Sequence, residues 1–176
     1  MKKITLLCLL FTASFLIFTQ PSIAQVNIQG GVSGNYSQFY GDASGIGVSG
    51  DLDAYILKNV SAGITAGYHS YTLDKTDLSV YAVGKLFLKS QGFRPYVSLG
   101  YGYSTLSGTF TKGIWINNQY TVETFEDKTT SQGIRIGAGM LYPLSNDYSL
   151  NIGAFHEHKR ELAEHMKFQI GISKLF

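Results

Sequence analysis

The sequence predicts an all-β chain, an eight-stranded antiparallel up-and-down transmembrane β-barrel. Three observations carry that prediction. Apolar residues alternate with small or polar ones in eight successive stretches, and no convincing helical stripe separates them. Each stretch is about 9–12 residues, enough to cross a bilayer at a tilt, whereas globular strands average about five or six. The connections between stretches alternate short with long. The 176 residues are one domain's length, and 14% aromatic with only 15% charged composition excludes a disordered chain. A net charge of +2 without a basic stripe excludes nucleic acid as a partner.

Residues 1–24 read as a cleaved signal peptide. Lys2 and Lys3 precede an apolar run over residues 4–18, and Ser22-Ile23-Ala24 is a small-x-small cleavage site. A retained anchor is the alternative, but the run is short for a span and ends at a good cleavage site. The expected mature domain is 25–176. It loses Cys8, the single cysteine, which excludes disulfides and thiol chemistry. Twelve basic residues then balance twelve acidic ones.

The strands follow in order, each named by its apolar face. Val26, Ile28, Val32 and Tyr36 mark the first, and Ile46, Val48, Leu52, Ala54 and Ile56 the second. Val60, Ala62, Ile64, Ala66 and Tyr68 mark the third; Leu78, Val80, Ala82, Leu86 and Leu88 the fourth. The fifth carries Val97, Leu99, Tyr101 and Tyr103, and the sixth Ile134, Ile136, Ala138, Met140 and Tyr142. Tyr148, Leu150, Ile152 and Ala154 give the seventh, and Met166, Phe168, Ile170, Ile172 and Phe176 the eighth. Residues 57–59, 89–94 and 143–147 are tight connections. Residues 37–44, 70–77, 105–128 and 157–163 are longer or more polar, the asymmetry of barrels with short turns on one membrane side and long loops on the other.

The opposite face decides what is inside. It is dominated by small and polar residues such as Asn27, Gln29, Ser33, Gly47, Ser61, Gly100, Gly137 and Gln169. Its charges are only Asp51, Asp53, Lys85, Arg135 and Lys167, far fewer than the roughly 25–35% expected of a soluble surface. Such a face suits the narrow interior of eight strands, and Tyr and Phe near the ends of the apolar face suit interfacial girdles. The apolar face is therefore expected to meet lipid. The five charges are expected to form a lumen polar network, with Arg135 paired to Asp51 or Asp53. Asp51, Tyr81, Arg135 and Gln169 are placed at similar heights.

In this pattern the chain resembles the small eight-stranded outer-membrane barrels of Gram-negative bacteria, the OmpA transmembrane-domain and OmpX/Ail type. Phe168, Ile170 and Ile172 alternate up to a terminal Phe176, which resembles the family's signal for the barrel-assembly machinery; Lys174 stands where an aromatic is usual. The resemblance implies a cell outer membrane location, outer-membrane lipid and lipopolysaccharide as surroundings, and a structural or surface-binding role through long extracellular loops, with an extracellular protein or surface ligand as possible partner.

Residues 105–128 are the one segment with a functional pattern. With Asn117-Asn118 as a two-residue turn, Trp115 opposes Tyr120, Lys112 opposes Glu123 and Phe110 opposes Phe125. The same register then opposes Tyr101 to Ile134, so the lipid-facing sets stay together. The expectation is a projecting hairpin offering Phe110, Ile114, Trp115, Tyr120 and Phe125 to a partner; the alternative is a solvated loop with incidental aromatics.

Other chemistry is weaker. Some barrels of the resembled type modify lipid A with His, Ser and acidic residues, and His69-Ser70 with Asp77 and Ser79 offers those types. His156-Glu157-His158 does not reproduce the deacylase signature, and nothing shows a nucleophile within reach of a base. His69, His156, His158 and His165 are placed at the extracellular rim, and alternation sets His156 and His165 on opposite faces, so no metal set is assigned. No catalytic residue and no cofactor are expected. A narrow pore, a lipid A-modifying enzyme and, were the protein soluble, a lipocalin-like ligand-binding barrel remain the alternatives.

Overall fold

A strand with one apolar face can bury its backbone only by pairing on both edges, and in lipid that requires closure. The computed structural model describes residues 27–39, 44–72, 75–116, 119–160 and 164–176. It comprises β1 (Ile28–Phe39), β2 (Ser44–Leu57), β3 (Val60–Tyr71), β4 (Lys75–Phe87), β5 (Arg94–Ile116), β6 (Gln119–Pro143), β7 (Tyr148–Lys159) and β8 (His165–Leu175). Each strand pairs antiparallel with its sequence neighbours, and β1 with β8 closes the barrel. The closing seam is finished by the Phe176 amide, which donates to the Ile28 carbonyl at 2.8 Å. The residues of the expected signal peptide lie outside the described ones.

The apolar face is outside. Val32, Ile46, Leu52, Ile64, Leu99, Ile136, Ile170 and Ile172 are all exposed, while Ser33, Asp51, Thr65, Ser98, Arg135 and Gln169 are buried. Lys174 stays near this surface, its ammonium 5.7 Å from the Tyr148 ring and 5.0 Å from the Phe176 ring. A cation held between two rings fits the place where the resembled pattern would have an aromatic.

Several strands run further than their apolar faces suggest. β3 extends to Tyr71 and β4 begins at Lys75, so most of residues 70–77 is ladder; β7 extends to Lys159, so Glu157 is strand as well. The reason is that a strand leaving the lipid band keeps its backbone pairing but exchanges its apolar alternation for polar residues.

The interior is filled by setting large side chains against small ones on the next strand. Tyr71 pairs with Gly45 and His69 with Gly47; Tyr81 pairs with Gly102, Tyr96 with Gly139 and Phe155 with Gly137. At Gly139 an added Cβ would lie 2.5 Å from the Tyr96 hydroxyl and 2.6 Å from the Ile152 carbonyl oxygen. Glycine is used here for proximity, since only a hydrogen leaves room for the neighbouring ring.

Candidate functional site: a charged lumen and a projecting hairpin

From the short-turn end to the hairpin end, the lumen has three levels. At the short-turn end Phe87, Tyr96, Leu141 and Phe155 form an apolar cluster, with Tyr55 packed against it. The Arg94 guanidinium lies 4.2 Å from the Phe87 ring and 4.8 Å from the Tyr55 ring. Sequence reasoning described the inward face through its small and polar residues. Val83, Phe87, Leu141 and Phe155 share that face because they continue its parity.

The middle level is polar. Lys85 reaches Asp53 at 2.6 Å. The Arg135 guanidinium donates to the Gln169 side-chain oxygen at 3.1 Å, and the Gln169 amide donates to Ser33 at 2.9 Å and to Asp51 at 3.3 Å. Thr65 donates to the other Asp51 oxygen at 2.6 Å. The expected pairing of Arg135 with Asp51 or Asp53 is thus replaced by a relay. Lys85 holds Asp53, Gln169 stands between Arg135 and Asp51, and the guanidinium lies 3.9 Å from the Phe155 ring.

The hairpin end is ionic and fully buried. The Lys159 ammonium donates to Asp77 at 2.8 Å and to Ser104 at 2.6 Å, while Ser104 donates to Asp77. Glu157 meets Lys167 at 3.0 Å and His165 at 3.0 Å, and accepts from the Tyr81 hydroxyl at 3.1 Å. Tyr81, in ladder register with Asp51 through Thr65, thus links the middle level to Glu157, which itself pairs with Arg135 in the ladder. Counting buried groups among the described residues, Asp51, Asp53, Asp77 and Glu157 match Lys85, Arg135, Lys159 and Lys167. Balance is what a narrow, poorly solvated interior requires, because an unpartnered charge there is costly.

Two of the four histidines placed at the rim are inside: His69 and His165 are buried, whereas His156 and His158 face outward. Ligand atoms of Asp77, Glu157 and His165 gather within 4.8 Å, yet the Lys159 and Lys167 ammoniums already lie on those carboxylates, so cationic charge is supplied by the chain. His69 is buried opposite Asp77 while Ser70 is exposed on the other face, and Ser79 Oγ lies 3.5 Å from the Gly67 carbonyl oxygen. His69, Asp77 and Ser79 share the inward face, but the Ser79 hydroxyl bonds the Gly67 carbonyl, and His69 Nε2 has no hydrogen-bond partner among the described residues. Asp77, Glu157, Lys159 and His165 were missed as lumen residues. Parity was their signal: Glu157 and Lys159 continue Asn151, Gly153 and Phe155.

Above the barrel, β5 and β6 continue as a two-stranded ribbon. Its register pairs Phe110 with Phe125, Lys112 with Glu123, Ile114 with Thr121, Trp115 with Tyr120 and Ile116 with Gln119. The Asn117-Asn118 turn lies outside the described residues, as do the side chains of Phe110, Ile114, Trp115, Tyr120 and Phe125. The β4 ladder reaches β5 only as far as Gly108, and the β7 ladder reaches β6 only from Gly133. The Arg160 amide still donates to the Gln132 carbonyl at 3.0 Å; beyond that, among the described residues, β5 and β6 pair only with each other and their outer edges are open. Eight residues of β5 past Gly108 correspond to roughly 26 Å of strand.

The comparisons agree with this architecture. The N-terminal barrel domain of Pseudomonas aeruginosa OprF superposes with a TM-score of 0.54 at 19% identity, covering 84% of this chain and 97% of that one. Neisserial surface protein A gives 0.59 at 13% identity, covering 87% and 98%. The outer membrane enzyme PagL gives 0.54 at 16% identity, covering 81% and 97%. At these identities the likeness is one of fold. No curated protein matches the chain in sequence. The family model described as the outer membrane protein beta-barrel domain matches residues 7–174. With that match over nearly the whole sequence, and an apolar girdle around a closed eight-stranded lumen, the chain belongs to the outer membrane protein beta-barrel family.

Proposed function

We propose that this protein is exported with removal of residues 1–24, is inserted by the barrel-assembly machinery, and acts outside the cell as a surface-binding or adhesion protein through the 105–128 hairpin. The observation that carries the reading is the pair of strand edges on the ribbon, beyond Gly108 and Gln132, that are open among the described residues. Open edges offer backbone hydrogen bonds to an extended segment of a partner protein. The aromatic residues Phe110, Trp115, Tyr120 and Phe125 supply anchors of the type enriched at binding hot spots.

The lumen supports the same assignment. Its buried charges are matched and its large side chains are backed by glycines, so the reading gives it a structural role and assigns the chain no catalysis or conduction. The similar fold of Ail, the attachment invasion locus protein of Yersinia pestis (TM-score 0.52, 11% identity), is compatible with attachment.

The test replaces residues 109–126 by a short turn. The shortened protein should still shift in mobility between unheated and boiled samples of the outer-membrane fraction, and cells carrying it should lose adhesion to immobilised matrix proteins. Equal adhesion by full-length and shortened forms would remove the hairpin from the function.

A further inference from the structure

The outer face of β7 carries two histidines that the lumen does not use. His156 and His158 stand at alternate positions, so both imidazoles leave the same side of the strand, from points roughly 6.7 Å apart along it. They follow Ala154, the last apolar outward residue of β7, and so sit at the upper limit of the lipid-facing band. A carboxylate just before β8 reaches both: Glu164 Oε2 lies 3.6 Å from His156 Nε2, and Glu164 Oε1 is bonded to His158 Nδ1. All three side chains are open to solvent, at 36%, 60% and 42% exposure. These side chains thus reach solvent, in contrast to the Asp77, Glu157 and His165 group beneath the lumen lysines.

We propose that His156, His158 and Glu164 form a surface site for a borderline-soft divalent transition cation, with Zn2+, Ni2+ or Cu2+ as the class. Two imidazole nitrogens with one carboxylate oxygen is a donor set that such ions take in preference to Mg2+ or Ca2+, which favour oxygen alone. It is also the three-ligand set of open zinc sites, where the fourth position is left to water or an anion. The alternation of a β-strand supplies the pair, since residues one apart would face opposite sides of the wall. Glu164 is already turned toward both rings, and rotation of the two imidazoles about their side-chain bonds would bring all three donors to one ion. Arg160 continues the same outward parity, and its charge opposes a bound cation, so affinity has to come from the two imidazoles and the carboxylate.

The experiment uses the mature barrel without an affinity tag, stripped with chelator in detergent micelles and titrated with Zn2+ alone, Cu2+ serving as spectroscopic probe. One ion per barrel is expected, with coupling from two imidazole nitrogens in the Cu2+ electron paramagnetic resonance spectrum. Outer-shell changes alone weaken metal sites by about 10–100-fold, so His158→Ala should cost at least about tenfold in Zn2+ affinity. Glu164→Gln should weaken Zn2+ binding while keeping both nitrogen couplings. The outward positions leave the lumen untouched, so heat-dependent gel mobility should be unchanged in every variant. Zn2+ binding that survives in His156→Ala/His158→Ala, or a Cu2+ spectrum without imidazole coupling, would overturn the site and leave an ordinary His–Glu contact at the base of the β7–β8 loop. Magnesium titration should give no competing effect at similar concentration; displacement of Zn2+ by equal Mg2+ would also count against it.

Discussion

The two ends of the lumen are built on different principles. At the hairpin end Asp77, Glu157, Lys159, Lys167 and His165 interlock, and almost every polar atom has a charged neighbour. At the short-turn end Phe87, Tyr96, Leu141 and Phe155 fill space, with Gly137 and Gly139 making room for rings. The first end depends on the sum of charges and the second on the sum of volumes. A single barrel therefore contains regions that should fail for different reasons.

The largest effect is expected where charge is removed. Glu157→Leu leaves Lys167 and Lys159 with Asp77 as their nearby carboxylate, and breaking one partner of a buried ionic set costs about 3–5 kcal/mol. Adding Lys167→Met to that variant should recover part of the loss, because a buried set replaced as a unit by apolar groups is far less costly. Urea unfolding in lipid bilayers provides the measurement. If Glu157→Leu unfolded within about 0.5 kcal/mol of the wild type, below the range for buried pairs, the ionic end would be sufficiently hydrated that its pairs contribute little.

The second test adds volume at the other end. Gly139→Ala places a methyl against the Tyr96 hydroxyl and the Ile152 carbonyl, and overpacking of this kind costs about 1–3 kcal/mol. Gly34 provides the internal control, since it faces outward and an added Cβ would meet only the Ile170 carbonyl oxygen at 4.0 Å. Gly34→Ala should fall within about 0.5 kcal/mol of the wild type, as surface changes usually do. Equal losses at the two glycines would mean that ring proximity is not what Gly139 provides.

How much of this was legible in the sequence follows from the same division. A residue that faces lipid must be apolar, so Val32, Ile46 and Ile136 announce their face without reference to any neighbour. The closed eight-stranded fold and the hairpin register from Tyr101 with Ile134 up to Trp115 with Tyr120 follow from that constraint, because a one-residue slip would put polar residues into lipid. The interior obeys a weaker rule: its residues must fit and balance each other, which is a property of pairs. Asp53 with Lys85 and Arg135 with Gln169 cannot be assigned by alternation, since rows from non-adjacent strands meet across the lumen. Asp77 and Glu157 were harder still. Both lie where the strands have left the lipid band, so a polar ladder and a polar loop have the same composition, and only the unbroken parity of each strand separates them.

The smallest predicted effect asks whether the volume-dependent end also uses polar contacts. Tyr96 combines both roles: its ring packs at a tilt against Phe87, with centroids 5.5 Å apart, and its hydroxyl donates to Asn151 at 2.9 Å. Tyr96→Phe keeps the ring above Gly139 and removes the one hydrogen bond, a change worth about 0.5–1.5 kcal/mol. Asn151 is buried, so the loss should fall in the upper part of that range unless water takes the place of the hydroxyl. Measured beside Tyr96→Leu, which removes the aromatic surface as well, the pair of variants divides packing from hydrogen bonding at one position. A larger loss for Tyr96→Leu is expected, since the ring and its contact with Phe87 disappear. Equal losses would instead assign this end to the Tyr96–Asn151 bond, making it polar in its energetics despite its apolar lining.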